Sequence, residues 1–175
     1  MNLENFIKDV PNYPKEGILF KDITPLMADG KAYKFTVEKI KEYALNHNVD
    51  IIVGPEARGF IAGCPVATSL EIGFVPVRKP GKLPAETIKQ DYKLEYGSDQ
   101  IEIHIDAIKE GERVLIVDDL IATGGTVEAA VKLVQKMKGE VLECCFIIDL
   151  PDIGGSRKLE LMGQNVFSLC EFEGD

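Results

Sequence analysis

Basic residues are in short supply: 20 Lys and Arg stand against 29 Asp and Glu, which leaves a formal net charge of −9 at pH 7. A general nucleic-acid surface and an anionic-membrane surface both need a basic face, so neither partner is expected, and any anionic ligand must be met locally. Long apolar runs are missing too, since none approaches the roughly 18 residues of a membrane span. The opening MNLENFIKDV has neither the basic flank nor the apolar core of a signal peptide, so the cytoplasm is the expected location. Cysteine is sparse: Cys64, Cys144, Cys145 and Cys170 show no CxxC or Cys/His ligand spacing and sit in apolar runs, which excludes a disulfide framework and a zinc site. No GxGxxG occurs, and no Gly-Lys-Ser/Thr follows a glycine-rich turn, so neither a dinucleotide fold nor a nucleotide P-loop is indicated.

What is present is an alternation of strands and helices. Leu3, Phe6, Ile7 and Val10 have the spacing of one helical face, which Pro11 and Pro14 end, and an irregular stretch then runs to Phe20. The spacing predicts helices over Lys31 to Asn46, Gly59 to Leu70 and Val127 to Lys138, and strands over Ile51 to Val53, Phe74 to Val77, Val114 to Val117, Val141 to Ile148 and Val166 to Leu169. Arg78 to Asp91 shows neither period, and a polar loop of that length inside a domain is usually a lid or a binding loop. Tyr92 to Tyr96 and Ile101 to Ile105 read as a hairpin whose second strand has Glu102 and His104 on a wet face. The sum is one α/β domain over residues 1–175 with a mostly parallel central sheet flanked by helices. His47 closes a helix and His104 lies on the hairpin, so neither receives a role.

The segment Val114 to Thr126, VLIVDDLIATGGT, concentrates the chemistry. It places Asp118 and Asp119 at the C-terminal end of a buried strand, with Asp118 to Thr126 as a polar, glycine-rich turn into the next helix. In open α/β sheets ligands bind at that edge. Gly124 and Gly125 allow a tight turn whose amide groups and helix dipole face a bound anion, and Thr123 and Thr126 add hydroxyl donors. That is a cradle for one phosphate monoester. Asp118 and Asp119 can accept hydrogen bonds from sugar hydroxyls and hold water on Mg²⁺, so no direct protein ligand to the metal is expected. A strand merely ending in solvated Asp with a Thr/Gly cap would explain one of these residues and leave the others unaccounted for.

The same thirteen residues resemble the phosphoribosyl-pyrophosphate signature of the type I phosphoribosyltransferases. EGILFKDITPL (Glu16 to Leu26), GPEARGF (Gly54 to Phe60), RKPGKLP (Arg78 to Pro84) and DYKLEYG (Asp91 to Gly97) resemble, in order and spacing, segments of the family members that act on adenine. Lys21 stands where many relatives have Arg, and Glu16 where many have Pro. The resemblance implies the family fold, with a base-binding segment over residues 1–30, a flexible catalytic loop and hairpin over 78–105, and a strand-loop-helix unit over 113–138. It implies transfer of a phosphoribosyl group from phosphoribosyl pyrophosphate to adenine, with Mg²⁺ on the sugar pyrophosphate, pyrophosphate as product and no protein nucleophile. Ala122 to Thr126 then hold the 5′-phosphate, and Asp118 with Asp119 the ribose. Arg58 forks the pyrophosphate, next to a cis bond at Glu56-Ala57, and Arg78, Lys79 and Lys82 supply further positive charge, partly across a homodimer interface. Glu95 becomes the acid/base carboxylate near the base. Phe20 and Leu120 sandwich the base, while the backbone around Ile18 and Lys21 reads its edge.

Two other readings use the same residues. A transferase for a 6-oxopurine or orotate keeps the chemistry but not the segments around Phe20 and Glu95. A regulator that senses phosphoribosyl pyrophosphate without catalysis needs a nucleic-acid surface, which an acidic chain lacks.

Overall fold

Val114, Leu115, Ile116 and Val117 form an unbroken apolar run because both faces of their strand are covered. The computed structural model describes residues 1–94 and 96–173. In it, strands β3 (Ile51–Pro55), β4 (Gly73–Val77), β7 (Arg113–Ile121), β8 (Glu140–Asp149) and β9 (Val166–Glu171) form one five-stranded sheet of order β4-β3-β7-β8-β9, parallel throughout. Side-chain alternation divides the core between its faces. Leu115, Val117, Cys145 and Ile147 join Ile52, Ala62, Val66, Val37 and Ile40 on one side. Val114, Ile116, Cys144 and Phe146 join Val53, Val127, Val131 and Val134 on the other. The first face is covered by α2 (Gly30–Leu45) and α3 (Gly59–Leu70), the second by α4 (Gly125–Lys136).

The connections β3-α3-β4 and β7-α4-β8 run outward from the centre in opposite directions. The order therefore reverses between β3 and β7, and the crevice beyond their C-terminal ends is where a ligand fits. The turn carrying Arg58 leaves β3 there, and the acidic pair lies on β7. Among the described residues, no helix is long and apolar enough to cross a membrane.

The N-terminal expectation is corrected. Only Leu3–Phe6 is helical, as one 3-10 turn, and β1 (Lys8–Pro11) pairs antiparallel with β2 (Leu19–Asp22), opposing Val10 to Phe20. Cross-strand pairing has overridden a short periodic pattern, and Pro11 is tolerated because it ends a two-stranded edge. The β1-β2 hairpin stands over the crevice, followed by α1 (Thr24–Ala28), which the apolar spacing does not announce.

The expected loop from Arg78 to Asp91 is shorter than read. β5 (Thr87–Lys93) pairs with β6 (Ser98–His104). Ile88, Gln90 and Tyr92 are the partly buried alternate positions of β5, and the polar Gln90 hides that period. Glu102 is 4% exposed, contrary to the wet face expected of it, with its carboxylate near Lys89 and Thr87. The turn expected from Asp118 is also corrected: β7 continues through both aspartates to Ile121.

Candidate active site

Because Asp118 and Asp119 are successive residues of a strand, their side chains leave on opposite faces. Asp118 faces a small cavity of about 180 Å³ shared with Ala122, Thr123, Gly124, Gly125 and Thr126. Asp119 faces a second cavity, of about 460 Å³, with Phe20, Tyr13, Ile61 and Arg58. The Asp119 amide donates to Asp118 Oδ1 at 2.8 Å, which fixes the first carboxylate against the backbone. Asp119 is 4% exposed and its Oδ2 lies 3.3 Å from Arg58 Nε. Burial first, then the charge of Asp119, holds the Asp118 carboxyl well above the ordinary carboxylate range. Burial also raises Asp119, although Arg58 opposes it. Two acids side by side in this environment resist carrying two full charges until a cationic or hydroxyl-bearing ligand arrives.

The turn after β7 is tight and glycine-built. Gly124 takes φ +82°, a left-handed conformation that glycine adopts without strain, and Gly125 opens α4 at the cavity. The cradle leans on a residue that sequence reading missed. A Cβ on Gly155, at the start of α5 (Gly155–Leu161), would collide with the Ala122 carbonyl oxygen and stand 2.8 Å from the Gly124 amide nitrogen. The Gly155 amide instead donates to that carbonyl at 2.8 Å. The Gly154-Gly155 pair is its only signal in the sequence.

A third cavity, of about 370 Å³, is lined by Phe20 and Leu120, with Ile18 and Lys21 beside them. The expected base walls therefore face one space. Arg58 borders all three cavities, with its guanidinium 5.7 Å from the Phe20 ring centroid. The peptide bond Glu56-Ala57 just before it is cis.

Arg78, Lys79 and Lys82 line none of these cavities as described. Arg78 Nη2 lies 3.4 Å and Lys82 Nζ 3.8 Å from Glu56 Oε2, and the Lys79 amide donates to the same carboxylate. Lys79 Nζ donates to Tyr92 Oη and to Asp99 Oδ2. Sequence reading singles out Glu56 only within a motif and at the cis bond, yet it gathers the base of the cationic loop. Burial pushes its carboxyl up, but the Lys79 amide and the charges of Arg78 and Lys82 together hold it below the ordinary glutamate range. Glu95, the expected acid/base group, lies outside the described residues. His47 holds Glu143 at 3.3 Å and the Tyr43 carbonyl at 2.7 Å, a packing contact at the helix end.

A doubly wound sheet with an acid pair and a glycine-rich turn at its switch point has the phosphoribosyltransferase fold. The sequence profile of the phosphoribosyl transferase domain matches residues 21–161, and the chain belongs to that family. Within it, the chain stands among the adenine phosphoribosyltransferases, which are pentosyltransferases. The relative from Nitrosomonas europaea is 58% identical over 173 residues, covering 99% of both chains, and that from Shewanella pealeana is 55% identical over 99% of this chain and 94% of its own. Both carry that name. The crystal structure of adenine phosphoribosyltransferase from Thermoanaerobacter pseudethanolicus superposes with a TM-score of 0.93 at 49% identity, covering 97% of this chain and 98% of that one. The Saccharomyces cerevisiae enzyme, solved with an imino-altritol bisphosphate and adenine, gives 0.91 at 41% identity, covering 96% of each.

Proposed function

We propose that this protein joins adenine to the ribose of phosphoribosyl pyrophosphate, giving AMP and pyrophosphate in a Mg²⁺-dependent reaction. The observation that carries the reading is the convergence of the phosphate cradle, the acid pair, Arg58 and the Phe20–Leu120 cavity on one crevice. Adenine bound to the yeast relative supports the choice of base.

The residues divide the work. Ala122 to Thr126 hold the 5′-phosphate through amides and hydroxyls. Asp118 and Asp119 accept from the ribose hydroxyls. Their hard oxygens suit Mg²⁺ carried by the substrate and reached through water. When bound, Mg²⁺ neutralises charge on the departing pyrophosphate. Arg58 supplies a guanidinium for the same charge, and Arg78, Lys79 and Lys82 add theirs on leaving Glu56 and Asp99. Phe20 and Leu120 hold the base flat so that its nitrogen faces the anomeric carbon. Glu95 is assigned the purine-ring proton by resemblance. A homodimer in the cytoplasm completes the proposal, its loop cations shared across the interface.

Incubation with Mg²⁺, phosphoribosyl pyrophosphate and each base in turn, with the nucleotides identified, tests the reading. AMP should form far faster than IMP or GMP. Equal rates with hypoxanthine or guanine would refute the base assignment, and Glu95→Gln with undiminished kcat would assign the proton to another group.

A further inference from the structure

The chain returns to the base cavity at its far end. The Phe172 amide donates to the Asp149 carbonyl at 3.0 Å, continuing the register in which Asp149 opposes Glu171. That bond fixes where the next residue lies. Lys21 Nζ, buried under the β1-β2 hairpin, sits 2.6 Å from Asp9 Oδ1 and 4.4 Å from the Phe172 ring centroid. A buried ammonium is costly unless paired, and here a carboxylate and a ring face compensate it together. One side chain thus ties β2 to the end of β9. Glu173 then borders the same cavity as Phe20 and Leu120.

The polar side chains bordering that cavity, among the described residues, are Lys21, Arg58, Thr123 and Glu173. Asp9 holds Lys21, Asp119 holds Arg58, and Thr123 belongs to the phosphate cradle. Glu173 is the one carboxylate at the cavity's edge, and it follows directly on Phe172, whose ring meets Lys21. An ionised carboxylate only accepts hydrogen bonds. An exocyclic amine on that edge of a base satisfies it, whereas a carbonyl sets acceptor against acceptor.

We propose that Glu173 is a specificity-determining residue of the base cavity, accepting a hydrogen bond from the amine of a 6-aminopurine and opposing a 6-oxopurine, with Phe172 as its positioning residue. This deepens the adenine reading and rests on it. The test compares kcat/KM for adenine and hypoxanthine, with saturating Mg²⁺ and phosphoribosyl pyrophosphate, in the full-length wild type, Glu173→Ala, Glu173→Gln and Phe172→Ala. Glu173 is exposed, so its variants should fold, and unfolding temperatures check that. Glu173→Ala should raise KM for adenine and narrow the adenine preference by roughly tenfold or more, with KM for phosphoribosyl pyrophosphate within about twofold of wild type. Glu173→Gln, whose amide can donate to a carbonyl, should gain activity on hypoxanthine. Phe172→Ala should shift the preference in the same direction by less. An unchanged preference in both Glu173 variants, while the wild type makes AMP selectively, overturns this inference alone. A wild type that forms no AMP overturns the functional reading and the inference with it.

Discussion

Arg58 is the residue through which the parts of the crevice meet, since its guanidinium touches Asp119, faces the Phe20 ring and borders the cavity of the β7-α4 turn. Beside it, the raised carboxyls of Asp118 and Asp119 have a measurable consequence for stability. An acid whose folded value lies above its unfolded one disfavours folding as pH rises past the unfolded value, so neutral replacements relieve the folded protein at pH 7. Asp118→Asn with Asp119→Asn should therefore leave the unfolding temperature unchanged or raised, while affinity for phosphoribosyl pyrophosphate by calorimetry falls at least several-fold. Undiminished affinity would remove the pair from the ribose site. Glu56 has the opposite sign. Its folded value is lowered, so its contribution is complete above the ordinary glutamate value of 4.5 and is lost as pH falls through the lower folded value. In thermal unfolding across acid pH, the wild type should lose stability more steeply than Glu56→Gln over that window. Parallel curves would mean that Glu56 does not hold Arg78 and Lys82 in solution.

At the scale of elements, the turn after β7 owes its shape to a helix far along the chain. Gly155→Ala would drive a methyl group into the Ala122 carbonyl and toward the Gly124 amide, and backbone on both sides leaves it little room to relax. Binding of inorganic phosphate or ribose 5-phosphate should fall at least tenfold by calorimetry, whereas Gly30→Ala, with nothing within 4 Å of the added carbon and no left-handed backbone, should leave it unchanged. Equal binding in the two variants would show that α5 does not support the cradle. The same example marks what could be read from sequence. Strands β3 and β8, the first half of β7, helix α3 and the glycine-rich turn before α4 were legible because buried apolar runs and the Thr-Gly-Gly-Thr pattern are local. Gly155 was not, because its constraint comes from residues more than thirty positions away. β1 is missed because Leu3, Phe6, Ile7 and Val10 keep helical spacing while only Val10 of the four lies in the strand, which pairing with β2 defines. Thr87 to Asp91, the first five residues of β5, read as loop because the inward face there includes the polar Gln90. Glu56 carried no periodicity, and its role emerges only when Arg78 and Lys82 are brought to it.

Across the whole molecule, the site belongs to no single element. β2 supplies Phe20, the β3-α3 turn supplies Arg58, β7 supplies the acids, and α4 opens at the cradle. The two outward-running halves of the sheet share no crossover helix at the switch point, so a ligand spanning the crevice fastens both halves together. Because that ligand binds the native state and not the unfolded chain, it stabilises by about 2.7 kcal/mol at a hundred times its dissociation constant. For a domain of this size that amounts to roughly 5 to 11 °C in unfolding temperature. Stabilisation alone says nothing of where the contacts lie, so hydrogen exchange supplies the map. Inorganic phosphate should slow exchange only in residues 121–127, the cradle and first turn of α4. Phosphoribosyl pyrophosphate with Mg²⁺ should also slow residues 54–60, where Arg58 leaves β3, and adding adenine or its nonreactive analogue should extend protection to residues 18–21. If phosphoribosyl pyrophosphate protects the cradle and leaves residues 54–60 exchanging as in the free protein, Arg58 does not reach the pyrophosphate and the crevice is not bridged in the way its geometry implies.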